Sequence, residues 1–284
     1  MNMLAMQDSA LDRHGDAERR DAGHAGQGAA LELRAVRQPQ VHLQAMWARH
    51  ADEVLEAQRL RYRIFVEEMG ARLSPPAGTP PGVDIDLFDA YCEHLVVRTV
   101  ETDTEPSEVV GTYRVMTPDA ARRVGGFYTE TEFDLTRLHA LRPKMIELGR
   151  SCTDARFRKG GVVMLLWSKL AEYMQCNKLQ ITFGCASMPM RDGGHAAASL
   201  WSLLRGKHLA SIEHQVRARL PLPVDELRSD LAVEPPALIK GYLNCGAKVL
   251  GAPAWDPDFG TADFPMMLDL NELPASYRKR FIGG

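Results

Sequence analysis

The chain has 284 residues, 45% of them hydrophobic and 25% charged, with a formal net charge of −3. That length supports one large domain or two modest ones around a sizeable core, with no need of a metal or disulfide staple. The charge balance excludes a general nucleic-acid binder, whose phosphate contacts call for a basic surface. No apolar run reaches membrane-spanning length and no secretory h-region opens the chain, so the expected location is the cytoplasm. Five scattered cysteines without a CxxC pair suit a reducing compartment, and nine histidines without HExxH spacing give no metal site.

Residues 1–30 are rich in Ala, Gly, Asp, Arg and His and have little to bury. They read as a disordered tail ahead of one domain over 31–284. Leu31 to Val36 alternates apolar and polar residues, the period of a half-buried strand. A helix is expected from Met46 to Met69, with Val54, Leu60 and Ile64 on one face and Arg61 and Phe65 along another edge. The proline-rich run Ser74 to Gly82 can be neither helix nor central strand, because proline lacks an N–H donor. An acidic segment with Asp84, Asp86 and Asp89 follows. Strands are expected at Glu93 to Val100 and Val109 to Met116, joined by a polar hairpin loop. Met145 to Arg150 reads as a further strand. Gly160-Gly161 then opens an apolar helix, Val162 to Cys176, and a strand from Leu179 to Ala186 completes a βαβ pattern. A helix near Gly194 to Arg205, a proline-punctuated stretch at 221–236, a helix from Ala237 to Cys245 and strands near 247–251 and 262–270 end the chain. The fold class is therefore α/β: a mixed central sheet with helices on both faces, continuous with its C-terminal third.

Side chains alternate across a strand, so Glu147 and Arg150 face opposite ways in regular geometry. Gly149 between them permits a bulge, which re-aims side chains and leaves backbone N–H groups free. A carboxylate, an arginine and free amides in one place suit attack of an amine on a thioester, although an ordinary surface ion pair is the commoner meaning of such spacing. Arg156, Arg158 and Lys159 lead into Gly160 and Gly161 at a helix start, where close approach and exposed N–H groups favour phosphate. Alone, the same residues equally describe a solvated basic turn. Together the two features suggest a phosphopantetheine arm. Arg156, Arg158 and Lys159, with Arg122 and Arg123, would then dock an acidic carrier protein. Asp84, Asp86, Asp89, Asp256, Asp258 and Asp263 could receive a cationic acceptor, though each singly fits a turn residue. Cys152 is read as packing, and the basic, apolar end Tyr277 to Ile282 as a helix end able to touch an anionic membrane.

Several segments carry a resemblance: Leu60-Arg61-Tyr62-Arg63-Ile64-Phe65-Val66-Glu67-Glu68-Met69, Asp86-Leu87-Phe88-Asp89, Gly111-Thr112-Tyr113-Arg114-Val115, Glu147-Leu148-Gly149-Arg150, Lys240-Gly241-Tyr242-Leu243 and Ala254 to Phe259. Over roughly residues 40–282 they resemble the ornithine–acyl carrier protein N-acyltransferases of the GNAT superfamily. The early segments are shared with acyl-homoserine-lactone synthases; the late ones favour the ornithine branch. The resemblance implies a GNAT fold and transfer of a 3-hydroxyacyl group from acyl carrier protein to the α-amine of L-ornithine, giving a lyso-ornithine lipid. The phosphopantetheine arm is the donor and no cofactor stays bound. It implies site positions at Arg61, Phe65, Asp86, Asp89, Arg114, Glu147 and Arg150, with Glu147 the expected proton acceptor and Arg150 beside it in catalysis. The pyrophosphate loop of ordinary GNAT enzymes is only partly present as Arg158-Lys159-Gly160-Gly161, which agrees with a carrier-protein donor. A lactone synthase and a non-catalytic carrier-binding module are the alternatives.

Overall fold

The computed structural model describes residues 41–159, 161–281 and 283; the expected tail, the expected strand Leu31 to Val36 and Gly160 lie outside them. The first described element is strand β1 (Leu43–Trp47), which takes in Met46 and Trp47, where the expected helix was to start. Leu43, Ala45 and Trp47 alternate onto one face and pack on the core, so period two wins over the helical pattern there. The helix α1 starts only at Ala51–Tyr62, where the Glu53 carboxylate accepts from the N–H groups of Arg49 and His50. It widens into a π-helical turn over Arg63–Glu68, a local change of winding that periodicity does not reveal.

The remaining elements are β2 (Glu93–Thr99), β3 (Val109–Met116), α2 (Pro118–Val124), a 3₁₀ turn (Tyr128–Thr131), β4 (Phe133–Asp134), β5 (Met145–Thr153), α3 (Val162–Cys176) and β6 (Ile181–Pro189). Then come α4 (His195–Lys207), β7 (Arg217–Ala218), α5 (Ala237–Asn244), β8 (Lys248–Val249), β9 (Ala254–Asp256), β10 (Thr261–Asp269) and α6 (Ala275–Phe281). The main sheet runs β1-β2-β3-β5-β6-β10-β8, with β9 also pairing β10, and is antiparallel except for β5 beside β6. Helices cover both faces. On one, α1 sets Ala57 and Leu60, and the π turn Phe65, against Val96 and Cys152; on the other, α3 sets Leu166 and Leu170 against Leu95, Val97 and Tyr113. Each of these fully buried leucines stabilises the fold by about 1.5–3 kcal/mol.

Two irregularities position the site. Between the register pairs Thr112–Cys152 and Arg114–Gly149, two residues of β5, Arg150 and Ser151, stand opposite Tyr113 alone. This is a bulge, one residue beyond the glycine that suggested it. It holds Arg150 at φ 47°, in the left-handed region that a non-glycine residue enters only when its surroundings insist. Second, β5 and β6 pair only from Met145–Ile181 to Glu147–Phe183 and then diverge. At the base of this fork a Cβ on Gly184 would stand 2.3 Å from the Leu148 carbonyl oxygen, so the close approach requires glycine.

Candidate active site

The bulge turns Arg150 onto the face already occupied by Glu147, where Asp84, Asp86 and Asp89 meet it from the loop after the proline run. The result is a closed ring of alternating charges. Arg61 pairs with Asp84 at 2.7 Å, Asp84 with Arg150 at 3.0 Å, and Arg150 with Asp86 at 3.0 Å. Asp86 pairs with Arg114 at 2.6 Å, Arg114 with Asp89 at 2.9 Å, and Asp89 with Arg61 at 2.7 Å. Three cations and three anions cancel, which permits the burial of Arg61, Arg114, Arg150, Asp84 and Asp89. Burial alone would raise the carboxyls of Asp84 and Asp89. The guanidiniums outweigh it and hold Asp84 below the usual carboxylate range and Asp89 well below it. Burial likewise opposes the charge on Arg61, yet Asp84 and Asp89 raise its affinity for its proton further.

Aromatic rings frame the ring of charges. Arg150 lies against Tyr128 at 5.5 Å and Phe259 at 5.2 Å, and Arg114 against Phe88 and Tyr128. Phe65 meets Phe259 edge-on at 5.9 Å. Arg150 Nη1 is buried without a hydrogen-bond partner among the described residues. Such a donor costs free energy unless a ligand satisfies it.

Glu147 is placed differently from its expected role. Its carboxylate is only 3% exposed and accepts from Tyr128 N (2.8 Å), Thr129 N (2.6 Å) and Thr129 Oγ1 (2.5 Å). Burial raises its pKa, with the Thr129 and Tyr128 donors acting against that. Three donors on a sealed carboxylate make an anchor for the 3₁₀ turn, and this is not the geometry of a group open to an amine.

A groove of about 660 Å³ opens beside the ring at the ends of β6 and of the π turn. Phe259, Thr261, Arg158, Arg191 and Arg72 line it among others. Beneath the fork lie two small apolar cavities of about 20 and 40 Å³, both lined by Leu148, Thr182, Tyr242 and Leu268. The Tyr113 and Tyr242 hydroxyls meet at 2.7 Å behind them, and Trp167 Nε1 donates to Tyr113 at 3.1 Å.

Residues 60–168 match the model of the acetyltransferase (GNAT) domain family. Proteins called L-ornithine N(alpha)-acyltransferase are similar along most of their length. The one from Rhizobium meliloti (strain 1021) is 35% identical, covering 83% of each chain, and that from Agrobacterium fabrum 36%, again over 83% of each. The Brucella abortus (strain 2308) protein is 34% identical over 78% of this chain and 82% of its own. The chain belongs to the L-ornithine N(alpha)-acyltransferase family. It is an acyltransferase with a GNAT fold. The match to the solved AHL synthase LasI covers 86% of this chain and 96% of that one at 15% identity and a TM-score of 0.47.

Against this family background, five of the expected positions (Arg61, Asp86, Asp89, Arg114 and Arg150) come together in the charge ring, and Phe65 packs beside it. Asp84, read as an acidic loop residue able to receive a cationic acceptor but not among the family-like site positions, completes the ring; its signal was the interleaving of Asp84, Asp86 and Asp89 with Val83, Ile85 and Phe88. The basic stretch is less free than its composition suggested. Arg156 is held by Asp154 and Glu108, both at 2.9 Å, and both Glu68 oxygens hold Arg158 at 2.5 and 2.7 Å. Lys159 is exposed, and Gly161 starts α3 at φ 81°. Arg122 is exposed beside Asp119, and Arg123 lies over the Tyr91 ring.

Proposed function

We propose that this protein moves a 3-hydroxyacyl group from the phosphopantetheine arm of acyl carrier protein onto the α-amine of L-ornithine, giving a lyso-ornithine lipid. The observation that carries this reading is the 33–36% identity to four ornithine acyltransferases, each matched over most of its length. In this reading the arm enters the fork between β5 and β6, past Arg158, Lys159 and Gly161. The acyl chain extends toward the apolar seam by Leu148 and Tyr242, which must widen to admit it. Past Glu147 the β5–β6 ladder has ended, so the backbone of β5 faces the fork without a β6 partner. A thioester carbonyl oxygen placed there would find donors ready for the negative charge it acquires, and one such donor contributes about 3–4 kcal/mol to related reactions.

The buried Arg150 Nη1 suits the acceptor's α-carboxylate, since a guanidinium matches a carboxylate in charge and plane. The ring fixes Arg150 through Asp84 and Asp86, while Phe259, which lines the groove, excludes water from its face. No helix among the described residues is long and apolar enough to cross a membrane. Contact with anionic lipid through Arg278, Lys279 and Arg280 of α6 belongs to the same proposal, because the product is an amphiphile. The decisive experiment offers purified protein acyl carrier protein or coenzyme A thioesters with a panel of amines and reads the products by mass. N-acylornithine made from the carrier thioester supports the reading. A lactone product would transfer it to the synthases, and stoichiometric binding without turnover would mark a carrier-binding module.

A further inference from the structure

An α-ammonium group has a reference pKa near 8 and cannot attack a carbonyl until it loses a proton. Glu147, sealed under three donors, is badly placed to take it. Another carboxylate pair stands one residue below the groove. Asp263, on β10, is fully buried and accepts from Thr261 Oγ1 at 2.8 Å, and Thr261 itself lines the groove. Ser187, its register partner on β6, is buried on the same face. Glu132, immediately after the 3₁₀ turn, hydrogen-bonds Asp263. The acceptor and donor atoms of Glu132, Cys185 and Asp263 lie within 4.8 Å of one another.

We propose that Glu132 and Asp263 form the proton acceptor for the attacking amine, a role that rests on the amine-acylation reading above. The ammonium N–H proton passes to the Glu132 carboxylate, and the freed nitrogen lone pair forms the C–N bond. The C–S bond then breaks, its electrons leave as thiolate, and the second nitrogen proton neutralises that thiolate. Glu132 returns its proton to solvent.

The surroundings fit this work. Among the described residues, the groups facing Glu132 include Asp263 on β10, Asp256 on β9, Cys185 on β6 and Tyr128 in the 3₁₀ turn, with Arg150 on the far side of Tyr128. Arg219, following β7, donates its backbone N–H to the Glu132 carbonyl. Burial, then the charges of Asp263 and Asp256, push Glu132 up to about 8, matched to an α-amine. Repulsion between neighbouring carboxylates is relieved when one of them takes up a proton, which favours transfer from an ammonium brought beside them. Glu147 has a supporting part. It clamps Tyr128 and Thr129, and Thr129 O accepts from Glu132 N at 3.1 Å, which makes Glu147 a positioning residue for the pair.

The test compares wild type, Glu132→Gln and Asp263→Asn with ornithine and with hydroxylamine, which is already unprotonated at neutral pH and needs no base. Glutamine mimics protonated Glu132, so folding, followed by melting temperature, should persist. The expected result with ornithine is a loss of kcat/KM of about 100-fold or more, with loss of the acidic limb of the pH profile. With hydroxylamine, Glu132→Gln should stay within a few-fold of wild type. If Glu132→Gln proves unstable, Asp263→Asn carries the same acceptor comparison. Active wild type with an unshifted limb in the variants, or equal losses with both acceptors, overturns the pair alone. Wild type that acylates neither acceptor overturns the amine-acylation reading and this inference with it.

Discussion

At Glu147 the carboxylate oxygens receive two backbone N–H groups and a hydroxyl. An amide of the same shape accepts at one atom only, so Glu147→Gln sets its NH₂ against the N–H of Tyr128 or Thr129. Leaving such a donor unsatisfied costs about 1–3 kcal/mol. The expected outcome is a melting temperature lower by roughly 3–10 °C at this chain length, together with reduced kcat/KM because Tyr128 and Glu132 lose their support. The acidic limb of the pH profile should stay in place, which separates this variant from Glu132→Gln. The charge ring makes a second residue-scale prediction. Asp84→Asn leaves Arg61 and Arg150 sharing a neutral amide in a buried site, a loss of about 3–5 kcal/mol that thermal melting will show. The folded pKa values of Asp84 and Asp89 are depressed below their unfolded values. Their contribution is therefore fully present above the ordinary carboxylate range, about pH 4, and fades as pH falls through the folded values. Melting temperature should be flat above about pH 5 from this source and fall in stronger acid, with a weaker fall in Asp84→Asn.

Among elements, the fork between β5 and β6 is the proposed seat of the thioester, and its base is a backbone contact. Gly184→Ala would press a methyl group to 2.3 Å from the Leu148 carbonyl oxygen. Neither strand can yield without disturbing the Glu147–Phe183 pair, so the variant should melt lower and lose turnover together, measured by calorimetry and product mass. This contact also shows where sequence reasoning stops. The βαβ unit was legible because α3 is bounded by a glycine start and a polar end, and Val162–Cys176 emerges as expected. The bulge was anticipated from Gly149 but sits at Arg150 and Ser151, because the glycine marks the weak point while the partner register chooses the extra residue. Of the helix expected over 46–69, Met46 and Trp47 end a strand and the rest holds a shorter helix and a π turn, since the β partner of Leu43–Trp47 is a tertiary fact. Of the site, Arg61, Asp86, Asp89, Arg114 and Arg150 were found through family-like segments. Glu132 carries no local signal: its partner Asp263 is 131 positions away, and only the folded sheet brings them together.

For the whole molecule, a net charge of −3 must be reconciled with the acidic carrier that is proposed as its partner. Bulk attraction is absent, so docking has to rest on local cations. Arg156 and Arg158 are already engaged by Asp154, Glu108 and Glu68, whose charges offset theirs. Exposed Lys159, beside the helix start proposed to receive the arm, should then carry more of the recognition than the arginines do. An exposed pair contributes about 0.2–1 kcal/mol, so Lys159→Glu, which turns attraction into repulsion, should raise KM for the carrier thioester roughly five-fold and leave kcat unchanged. The free pantetheine thioester lacks the carrier's acidic surface, so its KM should barely move. Salt supplies the control. At about 0.15 M the screening length is near 8 Å, so KM for the carrier should climb with ionic strength in wild type and less steeply in Lys159→Glu. Equal salt dependence in both proteins would move the docking surface away from Lys159, leaving Arg122 and Arg123 in the last turn of α2 as the cations to test next.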